Sequence, residues 1–427
     1  MSDASRSRIA SFWASFGPGL LWAAAAIGVS HLVQSTRAGA DAGLGLAVVI
    51  VLALILKYPF FEYGPRYAAA TGMSLVEGYR HIGRWALWLY VAITVTTSVI
   101  IQSAIVLFTA FLLNYALGLH WPLPLMGGAV LAACGLLLWI GQFPLLDRAV
   151  KTILVVLAVS TVAAAAVTLS RVEFGTLTLV PDIGTAVRGA VPFAFVLALV
   201  GWMPSAIDIA VWSSLWTLAK DRASGTRASV RAARLDFAIG YVGTGFLAFC
   251  FLLLGAGVMF GSGESFNAAG TVFSTQLVEL YSSTLGAWTR PIVLLAVLTT
   301  MLSTSITVVD GFPRALERSI VNLRPGHSDE RGVPNAGGIY WIALVALAAL
   351  TLLVLALFVG NLTTMVDVAT IISFLTAPAL GYLNLKAVTS PEVAPEHRPS
   401  RAMLTLSWVG LVLLGGTGAF WIVSLVT

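Results

Sequence analysis

Residues 17–31 read GPGLLWAAAAIGVSH, and residues 191–205 read VPFAFVLALVGWMPS. Each stretch opens as an apolar helix with a proline at its start, Pro18 or Pro192, and turns polar ten residues later, at Gly28 or Trp202. Aligned on the prolines, Gly28 matches Trp202, Ser30 matches Pro204 and His31 matches Ser205. Interrupting a membrane helix at mid-depth is costly, because the freed carbonyls and N–H groups must find partners in protein, water or a bound solute. Pro204 removes a backbone donor and clashes with the preceding turn. Gly28 permits backbone angles that other residues resist. A lone kink of this kind reads as a small polar residue bonded to its own backbone. Two kinks at equal depth, one five-helix unit apart, fit a secondary transporter made of inverted repeats with its substrate site at the breaks.

The rest of the chain agrees. Of its 427 residues 58% are hydrophobic and 10% charged, with a mean hydropathy of +0.92, far too little polar surface for a soluble domain. Apolar runs long enough to cross a hydrocarbon core of about 30 Å fall near 16–37, 44–62, 85–116, 121–141, 151–170, 189–216, 236–260, 287–312, 337–359, 363–385 and 403–426. They are continuous, not alternating, so the spans are helices. The expected architecture is one all-α transmembrane domain with repeats over about 16–170 and 189–385 and an extra helix at 403–426. The first run lacks a small-residue cleavage site and is too long for a signal peptide, so it is span one.

Lys and Arg set the orientation. With the N-terminus inside, 19 of the 24 fall in cytoplasmic segments, leaving Arg37, Arg171, Arg188 and Arg290 outside and Lys57 within span two. This bias follows the positive-inside rule and accounts for the net charge of +5 without nucleic acid. The expected location is the inner or plasma membrane, with the N-terminus cytoplasmic and the C-terminus outside. Cys134 and Cys250 lie within spans without metal-ligand spacing and read as small buried hydrophobes. The larger loops, about 217–235, 261–286, 313–336 and 386–402, leave no room for a catalytic domain, and the Pro-rich stretch VTSPEVAPEHRPSRA reads as a flexible connector. No nucleophile–base pair stands near the breaks, so an enzyme is not expected. No obligatory protein partner is evident.

GPGLLWAAAAIGVSHLVQSTRAGADAG resembles the first helix of the Nramp family of proton-coupled divalent-metal transporters, which have a LeuT-type fold. RYAAATGMSLVEGYRHIG resembles the family's Thr-Gly-containing loop, and LSTSITVVDGFPRALE its eighth helix. The resemblance covers essentially the whole chain and implies five-plus-five inverted repeats, eleven helices and alternating access. The family's metal ligands are not carried over. Its first-helix Asp-Pro-Gly-Asn motif corresponds to Gly28, Val29, Ser30 and His31. Its Ala-x-x-Met-Pro-His-Asn positions in the sixth helix become Trp202, Ser205, Ala206, Ile207 and Asp208, and its tenth-helix glutamine falls at Ala369 or Thr370. Span three has no acid between Trp85 and Leu113. A divalent ion losing a carboxylate near 4 Å gives up about 4 kcal/mol per unit-charge pair at an effective dielectric of 20, doubled for charge two. No metal-ligand set is therefore assigned.

Two substrate classes follow. Gly28, Ser30, His31, Gln34, Trp202 and Ser205 form a donor-rich set that suits a small oxyanion beside half-helix N-termini, with bicarbonate as the named expectation. Moving an anion inward against a negative interior costs about 2.3 kcal/mol per charge per 100 mV, which calls for a driving ion. The hydroxyl-rich stretch TTMLSTSIT, residues 299–307, suggests sodium held by Ser303, Thr304 and Thr307 with carbonyls near Ala26 and Gly28, as in sodium-coupled transporters of the LeuT fold. The second class is a divalent cation, manganese, iron or magnesium, proton-coupled or uncoupled. It is carried by Asp208, which lies one turn beyond Ser205 on the same face and opposes an anion. Asp310 and Asp367 are expected near helix ends, in gating pairs with arginine or in solvent.

Overall fold

The computed structural model describes residues 17–169, 192–263, 265–324, 336–357 and 361–426. Arg6, Arg8, Arg171, Arg188 and Arg331 of the charge count lie outside them, as does the start of the expected sixth span. The first half comprises α1 (Pro18–Ala26), a π-helical turn (Ser30–Ser35), α2 (Thr36–Ala42), α3 (Ala47–Thr71), α4 (Leu75–Ile82), α5 (Arg84–Leu117) and α6 (Leu123–Leu169). The second comprises α7 (Phe193–Gly201), α8 (Ile209–Ser224), α9 (Val230–Val258), α10 (Gly270–Leu285), α11 (Arg290–Leu323), α12 (Gly338–Leu357), α13 (Leu362–Val388) and α14 (Arg401–Ser424).

Eight of these helical segments are long and apolar enough to cross a membrane, and Val155–Leu169 is a shorter apolar helix. With the two interrupted segments, α1–α2 and α7–α8, the described residues supply eleven crossings in the LeuT-type arrangement. Helices are the required solution, since each satisfies its own backbone inside lipid. The expected spans at 121–141 and 151–170 fall within the one helical run α6, in its apolar parts Leu123–Ile140 and Val155–Leu169.

Two expectations about loops need correcting. The segment 261–286 carries α10, whose Phe273, Leu277, Leu280 and Tyr281 are buried; that helical spacing seats one face on the bundle while the rest stays polar. The stretch 386–402 is not a free connector. The Arg398 guanidinium donates to the carbonyls of Val393 and Ser390 at 3.0 and 3.1 Å, and Arg66 Nη1 donates to the His397 carbonyl at 2.8 Å.

Around the site, span one packs on α9 at unusually close range. A Cβ on Gly19 would lie 2.2 Å from the Asp236 carbonyl oxygen, one on Gly240 2.2 Å from that of Gly19, and one on Gly255 2.1 Å from that of Thr36. Small residues let membrane helices approach this closely, so α9 forms the floor against which both halves of span one rest.

Candidate functional site

The first interruption begins where α1 stops at Ala26. The Ser30 hydroxyl donates back to the Ala26 carbonyl at 2.5 Å and lies 2.7 Å from His31 Nδ1. The other ring nitrogen, Nε2, donates to the Thr244 carbonyl on α9 at 3.0 Å, and the ring meets Phe251 edge-on. From α11, the Thr304 hydroxyl lies 3.3 Å from the Ala24 carbonyl and donates to that of Ile27 at 3.1 Å. Gly28 sits against the same side chain, where a Cβ would come within 2.7 Å of Thr304 Oγ1. The span-one carbonyls of Ala26 and Ile27 are thus met by neutral hydroxyls.

The second interruption runs from Trp202 to Asp208, between α7 and α8, and includes the cis bond Met203–Pro204. Here a cation meets the carbonyls. Lys57, buried on α3, donates from Nζ to the carbonyls of Val200 at 3.0 Å, Gly201 at 2.9 Å and Ser205 at 2.7 Å.

Between the two breaks lies a small cavity of about 30 Å³, room for a water or two or one small ion. Its wall includes Ala26, Ser30, Trp202, Ser205, Asp208, Trp212 and Thr304, with Ile101 and Ile105 of α5 opposite. Asp208 stands at the N-cap position of α8 but caps nothing with its side chain. It is buried, and neither carboxylate oxygen is within hydrogen-bond distance of a donor on another residue. The positive end of α8 favours a negative charge there. Trp212 Nε1 on the same wall is likewise unpaired. Among the described residues no three His, Cys, Asp or Glu side chains cluster as a metal cage.

The structure therefore sorts the sequence candidates. Ser30, Trp202, Ser205, Ala26, Thr304 and Asp208 come together at the cavity, with Gly28 behind Thr304. His31 does not reach it, being held toward Thr244. Gln34 is spent elsewhere: its amide donates to Asp367 at 3.0 Å and Thr370 at 3.3 Å. Trp202 presents its ring to the cavity while Nε1 donates to Ser373 at 2.8 Å. Thr307 bonds its own helix at Ser303 and Thr304, and the buried Ser303 hydroxyl has no partner. Sequence reasoning passed over Lys57; a lysine inside an apolar span was the available signal, since such residues are rare and functional.

Both ends of the cavity are latched. At one end Arg37 forms a two-pronged pair with Asp367 at 2.8 and 3.3 Å, also donates to Gln34, and lies over the Phe195 ring. At the other, the Asp236 carboxylate receives the backbone N–H groups of Gly17 and Gly19 at 3.1 and 2.6 Å, gripping the start of α1. There too Asp310 pairs with Arg314 at 2.6 Å and receives the Trp216 indole and the Tyr340 hydroxyl.

Known proteins share this architecture. Residues 19–424 match the model of the natural resistance-associated macrophage protein-like family, Nramp. An uncharacterized protein of Pasteurella multocida (strain Pm70) is 35% identical over 403 residues, covering 94% of this chain and 90% of its own. A crystal structure of the Eremococcus coleocola manganese transporter with an aromatic bis-isothiourea substituted compound superposes with a TM-score of 0.77 at 15% identity, over 99% of this chain and 88% of that one. MHP1, a nucleobase-cation-symport-1 family transporter in a closed conformation with bromovinylhydantoin bound, superposes with a TM-score of 0.58 at 15% identity, over 95% and 89%. The fold, the paired interruptions and the family match lead to one conclusion: this chain belongs to the Nramp family of membrane transporters.

Proposed function

We propose that this transporter moves a small, hard cation, with Asp208 as the group that meets it. One observation carries the choice: a buried carboxylate on the cavity wall has no partner from another residue. A charge left unpaired in a buried site costs several kcal/mol unless a partner arrives, and a cation is that partner. The remaining wall offers oxygen from Ser30 and Ser205, aromatic rings and aliphatic carbons. The donor set lacks the thioether and amide of the family motif, and soft ligands are what favour the softer metals. A hard divalent ion that keeps part of its water shell, such as magnesium or manganese, fits one carboxylate and a few hydroxyls.

The anion expectation loses its basis. The donors assigned to bicarbonate on His31, Gln34 and Trp202 are engaged with Thr244, Asp367 and Ser373, and an ionised Asp208 repels an anion. Sodium between spans one and eight would have to displace the bonds from Thr304 to the first-span carbonyls. With the N-terminus taken as cytoplasmic from the Lys and Arg bias, Arg37 and Asp367 are the outer latch, and Asp236 with the Asp310 cluster the inner one. Alternating access then rocks spans one and six about their breaks.

The test is uptake into proteoliposomes of Mn²⁺, Mg²⁺ and labelled bicarbonate in parallel, with and without an inward sodium gradient. We expect cation uptake that is indifferent to sodium. In Asp208→Asn it should fall by at least about a hundredfold, since the lost ion pair is worth several kcal/mol at an effective dielectric of 20. Sodium-driven bicarbonate uptake that survives Asp208→Asn would overturn the proposal.

A further inference from the structure

Lys57 takes no part in the proposed cation site, although all three of its N–H donors are engaged. Its nitrogen meets three carbonyls at 2.7–3.0 Å. Two belong to the last residues of α7 and its final turn, and the third, on Ser205, lies beyond the break. An ammonium carries three N–H donors, whereas a neutral amine carries two, so the geometry calls for the charged form. Among the described residues no carboxylate forms an ion pair with Lys57. Its counter-charge is the carbonyl end of the half-helix, where the helix dipole is negative and cations are stabilised. The Phe61 ring, with its centroid 5.6 Å away, closes one side and adds its own attraction for a cation.

We propose that the Lys57 ammonium is a tethered ion, a permanent occupant of the position where a broken membrane helix otherwise needs water or a bound cation. It satisfies the carbonyls exposed at the break of span six and ties that break to α3. The chain consequently needs no diffusible ion at this position. Span six keeps its broken shape in any salt, and the tether makes Lys57 a positioning residue for the neighbouring Trp202–Asp208 segment, which carries one wall of the cavity. This rests on the chain being a transporter, not on which cation it carries.

Two variants test it. Lys57→Ala opens a narrow space the length of the lost side chain, ending at three carbonyls; Lys57→Gln fills much of that space and keeps N–H donors but no charge. The purified proteins are unfolded thermally in choline chloride, sodium chloride and methylammonium chloride, and reconstituted for Mn²⁺ uptake in the same salts. Wild type should unfold at one temperature in all three. Lys57→Ala should unfold earlier in choline and recover with methylammonium or sodium, because a ligand that binds only the folded state raises its stability. Its uptake should become dependent on that added cation. Lys57→Gln should stay impaired in every salt, at least about tenfold down in uptake, as expected when a buried charge-assisted set of bonds is lost. A Lys57→Ala protein indifferent to all three salts would overturn the proposal. So would a Lys57→Gln protein that transports like wild type, since hydrogen bonding alone would then suffice. If Lys57→Ala does not accumulate, Lys57→Gln decides. Absence of both Mn²⁺ and Mg²⁺ uptake in wild type would sink the substrate proposal alone, leaving the unfolding comparison to judge the tethered ion.

Discussion

The two interrupted spans face the same physical problem and solve it with different chemistry. At the break of span one, the freed carbonyls are met by hydroxyls, Ser30 from just beyond the break and Thr304 from α11. At the break of span six, three carbonyls converge on one ammonium from α3. A neutral hydrogen bond is worth about 1 kcal/mol net, and one to a charged group about 1.5–3. The hydroxyl-capped break is therefore the softer joint and the ammonium-capped break the stiffer one. Asp208, the unpaired acid, sits on the stiff side, so the group proposed to meet the cargo is held more firmly than the wall opposite.

Three substitutions probe that contrast, beginning with the most severe. Gly28→Ala pushes a methyl to within 2.7 Å of Thr304 Oγ1, and overpacking of this kind costs about 1–3 kcal/mol. Uptake should fall by at least about tenfold for that cost. Adding Thr304→Ala should restore part of the loss, because the clash is pairwise. If the double variant is no better than the single, the two residues do not form the joint. Thr304→Val keeps the shape but strips the hydroxyl, leaving the Ile27 carbonyl without that donor. A stability loss of about 1–2 kcal/mol, measured by thermal unfolding, is expected. It should be smaller than that of Lys57→Gln, and the reverse order would invert the ranking of the two joints. Trp202→Phe preserves a ring on the cavity wall while removing the bond to Ser373 and part of the indole's bulk. It should cost about 1 kcal/mol or less in stability and leave cation selectivity unchanged. A change of selectivity would mean that the indole N–H faces the cargo.

The fold was legible because its signals are local. Runs of about twenty apolar residues, prolines and glycines at matched depth, and basic loops can all be read along the chain. The site was legible only in part, for a reason visible in His31, Gln34 and Trp202. The sequence shows that each carries donors; it does not show that Thr244, Asp367 and Ser373, 213, 333 and 171 residues away, already receive them. Counting donors as free favoured an anion. Subtracting the engaged ones leaves Asp208, which shares the cavity wall with Ser205 although the segment joining them is unwound and not the helical turn the spacing implied. Lys57 was hidden differently. Its partners are backbone carbonyls, which every residue has, so no side-chain motif marks the place where three of them converge.

Span seven gives the close packing of glycines a mechanical meaning. Helix α9 touches span one at three heights: Gly240 lies against Gly19 below the break, the Thr244 carbonyl holds His31 at the break, and Gly255 lies against Thr36 above it. A broken rod lashed to an unbroken one at three points is a splinted rod. While those contacts last, the two halves of span one cannot swing apart by themselves, and any tilt of one is transmitted through α9 to the other. In the proposed rocking of span one, α9 thus serves as the spine against which its joint at Gly28 bends.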